Sequence, residues 1–299
     1  MSFPERLWRA TAERGTPAMV GLDPRPDHFP EPFRSRAEGG GPAAVAATVD
    51  YHRALLDVVA AKVAVVKPQA AFFERLGPAG FGALADAVEQ ARARGLMVVM
   101  DAKRGDIGST SEAYAETFLA GRFFPAADAL TINPYLGEDA CRPFLAAARR
   151  HDAGLFVLVK TSNPGAGRFQ DHGEPPLADQ VAGMVREWGE EAVGPDGWSP
   201  IGAVVGATRP DELAHFRRLM PRAPLLLPGF GFQGGTAEGL EAAFDAQGRG
   251  AIVNASRSIL WAHEREDLAH LPRWEDRVAA ALDEMIAALA PLAGGRRRA

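Results

Sequence analysis

Eight short, β-branched apolar runs recur along the chain, at 17–23, 63–69, 96–103, 127–133, 155–161, 201–207, 224–230 and 250–256, each bounded by Gly, Pro or Asn. They are apolar almost throughout rather than at every second position, the pattern of strands in a parallel sheet covered on both faces. Between them lie Ala-, Leu-, Glu- and Arg-rich stretches with helical spacing: 81–95 ending on Gly95 as a C-cap, then 111–119, 138–150, 177–190, 211–220 and 238–244. Strand and helix alternating eight times predict an α/β fold, a (β/α)8 TIM barrel, formed by residues 1–299 as a single domain with a short basic tail at 293–299. The alternative is a doubly wound open sheet, but no G-x-G-x-x-G follows the first run. The segments 24–42 and 163–176 read as long loops after strands one and five, on the face where a barrel builds its active site.

Composition narrows the partners. Lys and Arg number 33 against 38 Asp and Glu, a net charge of −5, which argues against a nucleic-acid polyanion. The longest apolar candidate, 55–66, is broken by Lys62 and falls short of the roughly 18 residues of a membrane helix. The first ten residues lack the apolar core of a secretory signal, so a cytoplasmic protein is expected. The single cysteine, Cys141, supports neither an internal disulfide nor a thiolate metal cluster.

Only four of the 33 basic residues are lysines, Lys62, Lys67, Lys103 and Lys160. In so arginine-biased a chain, a retained lysine suggests a place that needs a compact ammonium able to release a proton. Charged residues gather at strand ends: Asp23 after the first, Lys67 at the second, Asp101 and Lys103 at the third, Lys160 at the fifth. Residues 99, 101 and 103 share one strand face, so the polar row is expected to face the barrel axis with Val98 and Met100 turned to the helices. Neighbouring strands lie about 4.8 Å apart, which puts Lys67 within reach of Asp101. Asp106 follows in the loop and extends the alternating charges. Such a concentration is costly to desolvate as mere ion pairs and reads as functional. Lys160 fits strand-end pairing or active-site support equally well.

After the seventh run comes PGFGFQGG (228–235), and after the eighth NASRSI (254–259). Loops at these positions hold a phosphate in many barrels, and here Gln233 and Arg257 would donate to it beside close-approaching glycine backbone. KTSN (160–163) suits either a heterocycle edge or helix capping.

DAKRGDIGST (101–110) carries a D-x-K-x-x-D-I-x-x-T pattern, and with GLDPRP (21–26), KPQAAFFE (67–74), NPYLG (133–137), VKTSNPGA (159–166), PGFGFQGG and NASRSI it resembles the longer bacterial subfamily of orotidine 5′-phosphate decarboxylases. The resemblance implies conversion of orotidine 5′-phosphate to UMP and carbon dioxide, with no cofactor and no metal. It implies Lys103 as the proton donor to C6, Asp101 against the departing carboxylate, Lys67 and Asp106 in the charged network, and Asp23 on the ribose. Ser162 would address the pyrimidine, and Gln233 and Arg257 the phosphate. Asp106, Ile107 and Thr110 would reach a neighbouring subunit's site, so a homodimer is implied, with no nucleic-acid or membrane partner. Two rivals share the scaffold: a Mg²⁺-dependent phosphosugar enzyme of the hexulose-phosphate synthase and ketogulonate-phosphate decarboxylase group, which by the same comparison carries an acidic residue in place of Lys67, and a non-catalytic nucleotide-binding barrel.

Overall fold

The computed structural model describes residues 1–206, 210–231 and 239–294. All eight apolar runs form strands: β1 (Ala18–Leu22), β2 (Val65–Pro68), β3 (Met97–Arg104), β4 (Ala129–Ile132), β5 (Gly154–Lys160), β6 (Ile201–Val205), β7 (Leu225–Leu227) and β8 (Ala251–Ala255). They pair in parallel, in chain order, and β8 returns to β1 to close the barrel.

The α-helices among the described residues are α1 (Phe3–Arg14), α2 (Phe33–Ala37), α3 (Gly41–Val59), α4 (Ala70–Glu74), α5 (Pro78–Ala93), α6 (Gly108–Leu119), α7 (Glu138–Arg150), α8 (Gly167–Gln170), α9 (Leu177–Glu190), α10 (Pro210–Leu219), α11 (Arg257–Leu260) and α12 (Trp274–Leu289). The stretches 138–150 and 177–190 match α7 and α9 end to end. Helix α5 starts earlier than its apolar spacing suggests, because Pro78 sits at its first position after Gly77. The expected loop 24–42 contains α2, and 163–176 contains α8. Of the helix expected at 238–244, the described residues 239–244 form only a single 3₁₀ turn, Glu241–Ala243. The Ala243 carbonyl of this turn accepts from Arg217 of α10, whose guanidinium also donates to the carbonyls of Met220, Ala223 and Gly250 and lies over the Trp198 ring.

Two apolar layers follow from strand alternation. Met19, Val65, Val99, Ala129, Phe156, Val204, Leu226 and Ile252 point inward and fill the barrel. Val20, Val66, Val98, Met100, Leu130, Val157, Ala203 and Val253 point outward against the helices. Helix α1 closes the lower end, with Phe3 against Phe156 and Trp8 against Trp198. A Cβ at residue 154 would lie 2.3 Å from the Phe3 ring, so glycine there admits the plug. Among the described residues no helix is long and apolar enough to cross a membrane.

Candidate active site

One step above the inward apolar layer the barrel interior turns polar. Counting two residues up from Met19, Val65, Val99, Ala129 and Ile252 gives Gly21, Lys67, Asp101, Thr131 and Asn254, at the C-terminal ends of their strands. The last four line a cavity of about 360 Å³, with Asp23, Gln69, Lys103, Ser162, Ser256 and Arg257 around its walls. Gly21 cannot be replaced without cost, since a Cβ there would fall 1.9 Å from Ser256 Oγ and 3.3 Å from an Asp23 carboxylate oxygen.

Asp101 is the centre of the arrangement and is buried. Its Oδ2 accepts from Lys67 Nζ at 2.6 Å and from Gln69 Nε2 at 2.9 Å. Its Oδ1 accepts from Lys103 Nζ at 2.6 Å and from Thr131 Oγ1 at 3.0 Å. Four donors saturate a carboxylate and leave it no rotational freedom. Burial by itself would raise the Asp101 pKa, but the two ammonium groups outweigh it and hold the carboxyl well below the usual range. Burial works against the Lys67 ammonium as well, and there the carboxylates of Asp101 and Asp23 prevail and raise its pKa.

The two lysines differ in access. The Lys67 side chain is 5% exposed and that of Lys103 is 42% exposed, so Lys103 presents its ammonium to the cavity while Lys67 backs the carboxylate from below. Lys103 also has a left-handed backbone, φ 48°, where the β3–β4 register slips. That conformation is uncommon for a side-chain-bearing residue.

Asp23 Oδ1 and Asn254 Oδ1 are buried without a hydrogen-bond partner among the described residues. Buried acceptors of this kind are costly unless a donor meets them, so two cavity walls are built to receive ligand hydroxyl or N–H groups. Ser162 and Arg257 also line the cavity. Lys160 is buried and pairs with Asp171, while Gln170 Oε1 accepts from the Thr161 N–H at 2.9 Å and Gln170 Nε2 donates to Thr161 Oγ1 at 2.8 Å. The 163–176 segment is thereby fastened to the end of β5, beside Ser162.

The predicted residues Lys67, Asp101, Lys103, Asp23, Ser162 and Arg257 converge on this cavity. Asp106, Ile107 and Thr110 are not among the residues lining it, although Asp106 had been placed in the same charge array. Asp106 accepts from the Ile107 amide at 2.8 Å, and Ile107 and Thr110 lie exposed at the start of α6. Gln233 and the tail residues 295–299 lie outside the described residues. The sequence reading missed Gln69, Thr131 and Asn254, which the same two-residue count from Lys67, Ala129 and Ile252 would have found. Among the described residues, no group of three or more His, Cys, Asp or Glu is placed to hold a metal ion.

Residues 19–270 match the model of the orotidine 5′-phosphate decarboxylase / HUMPS family. The orotidine 5′-phosphate decarboxylase of Rhodopirellula baltica is 45% identical over 295 residues, covering 95% of this chain and 98% of that one. That of Deinococcus radiodurans is 43% identical, covering 87% and 90%. The solved structure of Leishmania donovani OMP decarboxylase superposes with a TM-score of 0.76 at 31% identity, covering 99% of this chain and all of that one.

Proposed function

The chain belongs to the orotidine 5′-phosphate decarboxylase / HUMPS family and converts orotidine 5′-phosphate to UMP and carbon dioxide, the last step of de novo pyrimidine synthesis; from that premise we propose how its residues divide the work. The observation that carries the assignment is Asp101 clamped between Lys67 and Lys103 with every acceptor position filled.

Breaking the bond from C6 to the carboxylate leaves an electron pair on a carbon that the ring cannot delocalise. The Lys103 ammonium stands where that charge appears and delivers its proton to C6, after which solvent restores the proton on Nζ. Asp101 lies against the substrate carboxylate, and its saturated hydrogen bonds keep it from turning away or taking a proton to relieve the repulsion. Lys67 holds it ionised. Fixed charge facing developing charge is usually the largest catalytic contribution. An ammonium about 3–4 Å from the carbanion supplies roughly 4–5 kcal/mol at an effective dielectric near 20, against the ~20 kcal/mol of the largest known rate enhancements. Orientation and the binding energy of the remote phosphate supply the rest. In this reading Asp23 receives a ribose hydroxyl, Ser162 the pyrimidine edge, and Arg257 with Gln233 the phosphate. Chemistry of this kind uses no electron-sink cofactor and no metal.

Asp106, Ile107 and Thr110 serve the site of a second copy, which accounts for their position away from their own cavity, with Ile107 and Thr110 exposed and Asp106 half-buried. The enzyme in this reading is a cytoplasmic homodimer. Purified protein should deplete orotidine 5′-phosphate absorbance equally with and without a chelator. Lys103→Ala and Asp106→Ala chains, each inactive, should recover about a quarter of wild-type activity per chain when mixed, since random pairing in a two-fold dimer leaves one intact site in half the dimers. No recovery despite verified subunit exchange refutes the shared site.

A further inference from the structure

We propose that Thr131, on β4, is a positioning residue that sets the Asp101–Lys103 pair, a reading that rests on the decarboxylase assignment of this site. Between the pairs Met100–Leu130 and Arg104–Ile132 the β3–β4 register slips, so β3 carries two more residues than β4 over that interval. Lys103 lies in this bulge with its left-handed backbone, and its N–H has left the regular ladder. The N–H donates instead to Thr131 Oγ1 at 2.9 Å. The hydroxyl then has one proton of its own. Its two candidate acceptors are Asp101 Oδ1 at 3.0 Å and the Met100 carbonyl at 3.5 Å, and the shorter contact is the better bond.

One buried hydroxyl therefore joins the main chain of the lysine to the carboxylate that receives the same lysine's ammonium. The ring of contacts runs from Lys103 N to Thr131 Oγ1, to Asp101 Oδ1, to Lys103 Nζ. Bulges near active sites commonly re-aim a side chain, and here the hydroxyl pins the re-aimed residue. Gln69 secures the opposite carboxylate oxygen. Without the hydroxyl, the Lys103 amide loses its acceptor and Asp101 Oδ1 loses one of two donors, so both reacting groups gain freedom while the phosphate and pyrimidine contacts stay unchanged. Because a misplacement of about 1 Å can cost 10²-fold in rate, the loss should fall on kcat.

The test compares Thr131→Val, Thr131→Ser and Thr131→Ala with wild type in the orotidine 5′-phosphate absorbance assay, with UMP affinity measured in parallel. T131V and T131A should lower kcat about 10- to 100-fold with KM and UMP affinity held within about threefold, and T131S should stay within about threefold of wild type. A folded T131V with wild-type kcat, equal losses in serine and alanine variants, or a loss confined to KM would overturn the proposal. If T131V fails to fold, the serine–alanine pair decides by the same criteria. Wild-type protein without turnover would remove the decarboxylase assignment and this proposal with it, whereas an active wild type beside an unimpaired T131V removes this proposal alone.

Discussion

Replacing Asp101 by asparagine keeps the shape of the side chain and removes one charge from a buried cluster. Lys67 then remains buried and has lost the partner of its ammonium at 2.6 Å. At that spacing and an effective dielectric near 20, the Coulomb attraction lost is about 6 kcal/mol. Asp23 and local relaxation recover part of it, and breaking a buried pair by deleting one partner costs about 3–5 kcal/mol. For a chain of this size each kcal/mol moves the melting temperature by about 2 °C, so Tm should fall by about 6–10 °C. The pH dependence should change as well. In the wild type the folded pKa of Lys67 is raised, so its contribution is complete below about pH 10.5 and disappears as pH rises through the folded value. The folded pKa of Asp101 is depressed, so its contribution is present above about pH 4 and is lost on acidification below it. With Asp101 neutralised, burial dominates at Lys67 and its folded pKa drops below the unfolded one. The unfolded chain then binds more protons, and stability climbs with pH on the alkaline side. Urea unfolding of both proteins at pH 6 and pH 9 reads this directly. An Asp101→Asn protein within 1 kcal/mol of wild type at both pH values would refute the buried-pair reasoning.

Two further outcomes test the scaffold. His52 is buried among Phe29, Tyr51 and Phe73, and burial pushes its pKa down to about 4 against the small opposing effect of its bond to the Thr48 carbonyl. Its depressed value means the neutral form stabilises the fold above about pH 6.5, so about 3 kcal/mol should be lost between pH 6.5 and 4 in the wild type and not in His52→Phe, by urea unfolding at steps across that range. Arg217→Leu should cost about 3 kcal/mol by the same measurement, because four carbonyls lose the guanidinium and only those of Met220 and Gly250 keep a backbone donor from Ala223 and Leu225, and Arg217→Lys should recover less than half, since an ammonium cannot span the fork; a loss under 1 kcal/mol would count against the clamp.

The strands were legible because parallel sheets covered on both faces leave continuous apolar runs, and Lys67, Asp101 and Lys103 were legible because period two carries the inward row past Val65 and Val99. Thr131 and Gln69 stand in that same period-two row, but what they bond depends on which residue stands opposite across the register, and the slip between Met100 and Arg104 has no marker in DAKRGD. Asp106 was legible as a loop residue beyond the end of β3, and with strand alternation ended at the bulge nothing in the period-two count carries it into its own cavity. Helix α1 was overlooked although Ser2 and Glu5 form a reciprocal capping box. Its apolar face points to Phe156 and Trp198, far along the sequence, so nothing nearby announces it. The expected helix at 238–244 was a confusion of Ala- and Glu-rich composition with helix, where Arg217 satisfies the local carbonyls from another element.

The plug at the barrel floor also bears on how the molecule comes together. Phe3 and Trp8 find their seats only on Phe156 of β5 and on Trp198, which precedes β6. The opening segment must therefore wait, with its apolar face uncovered, until the chain past its midpoint has been made and arranged. Contacts of such long sequence separation form slowly. The seal at the floor is thus a late event of assembly, even though α1 precedes every strand in the sequence.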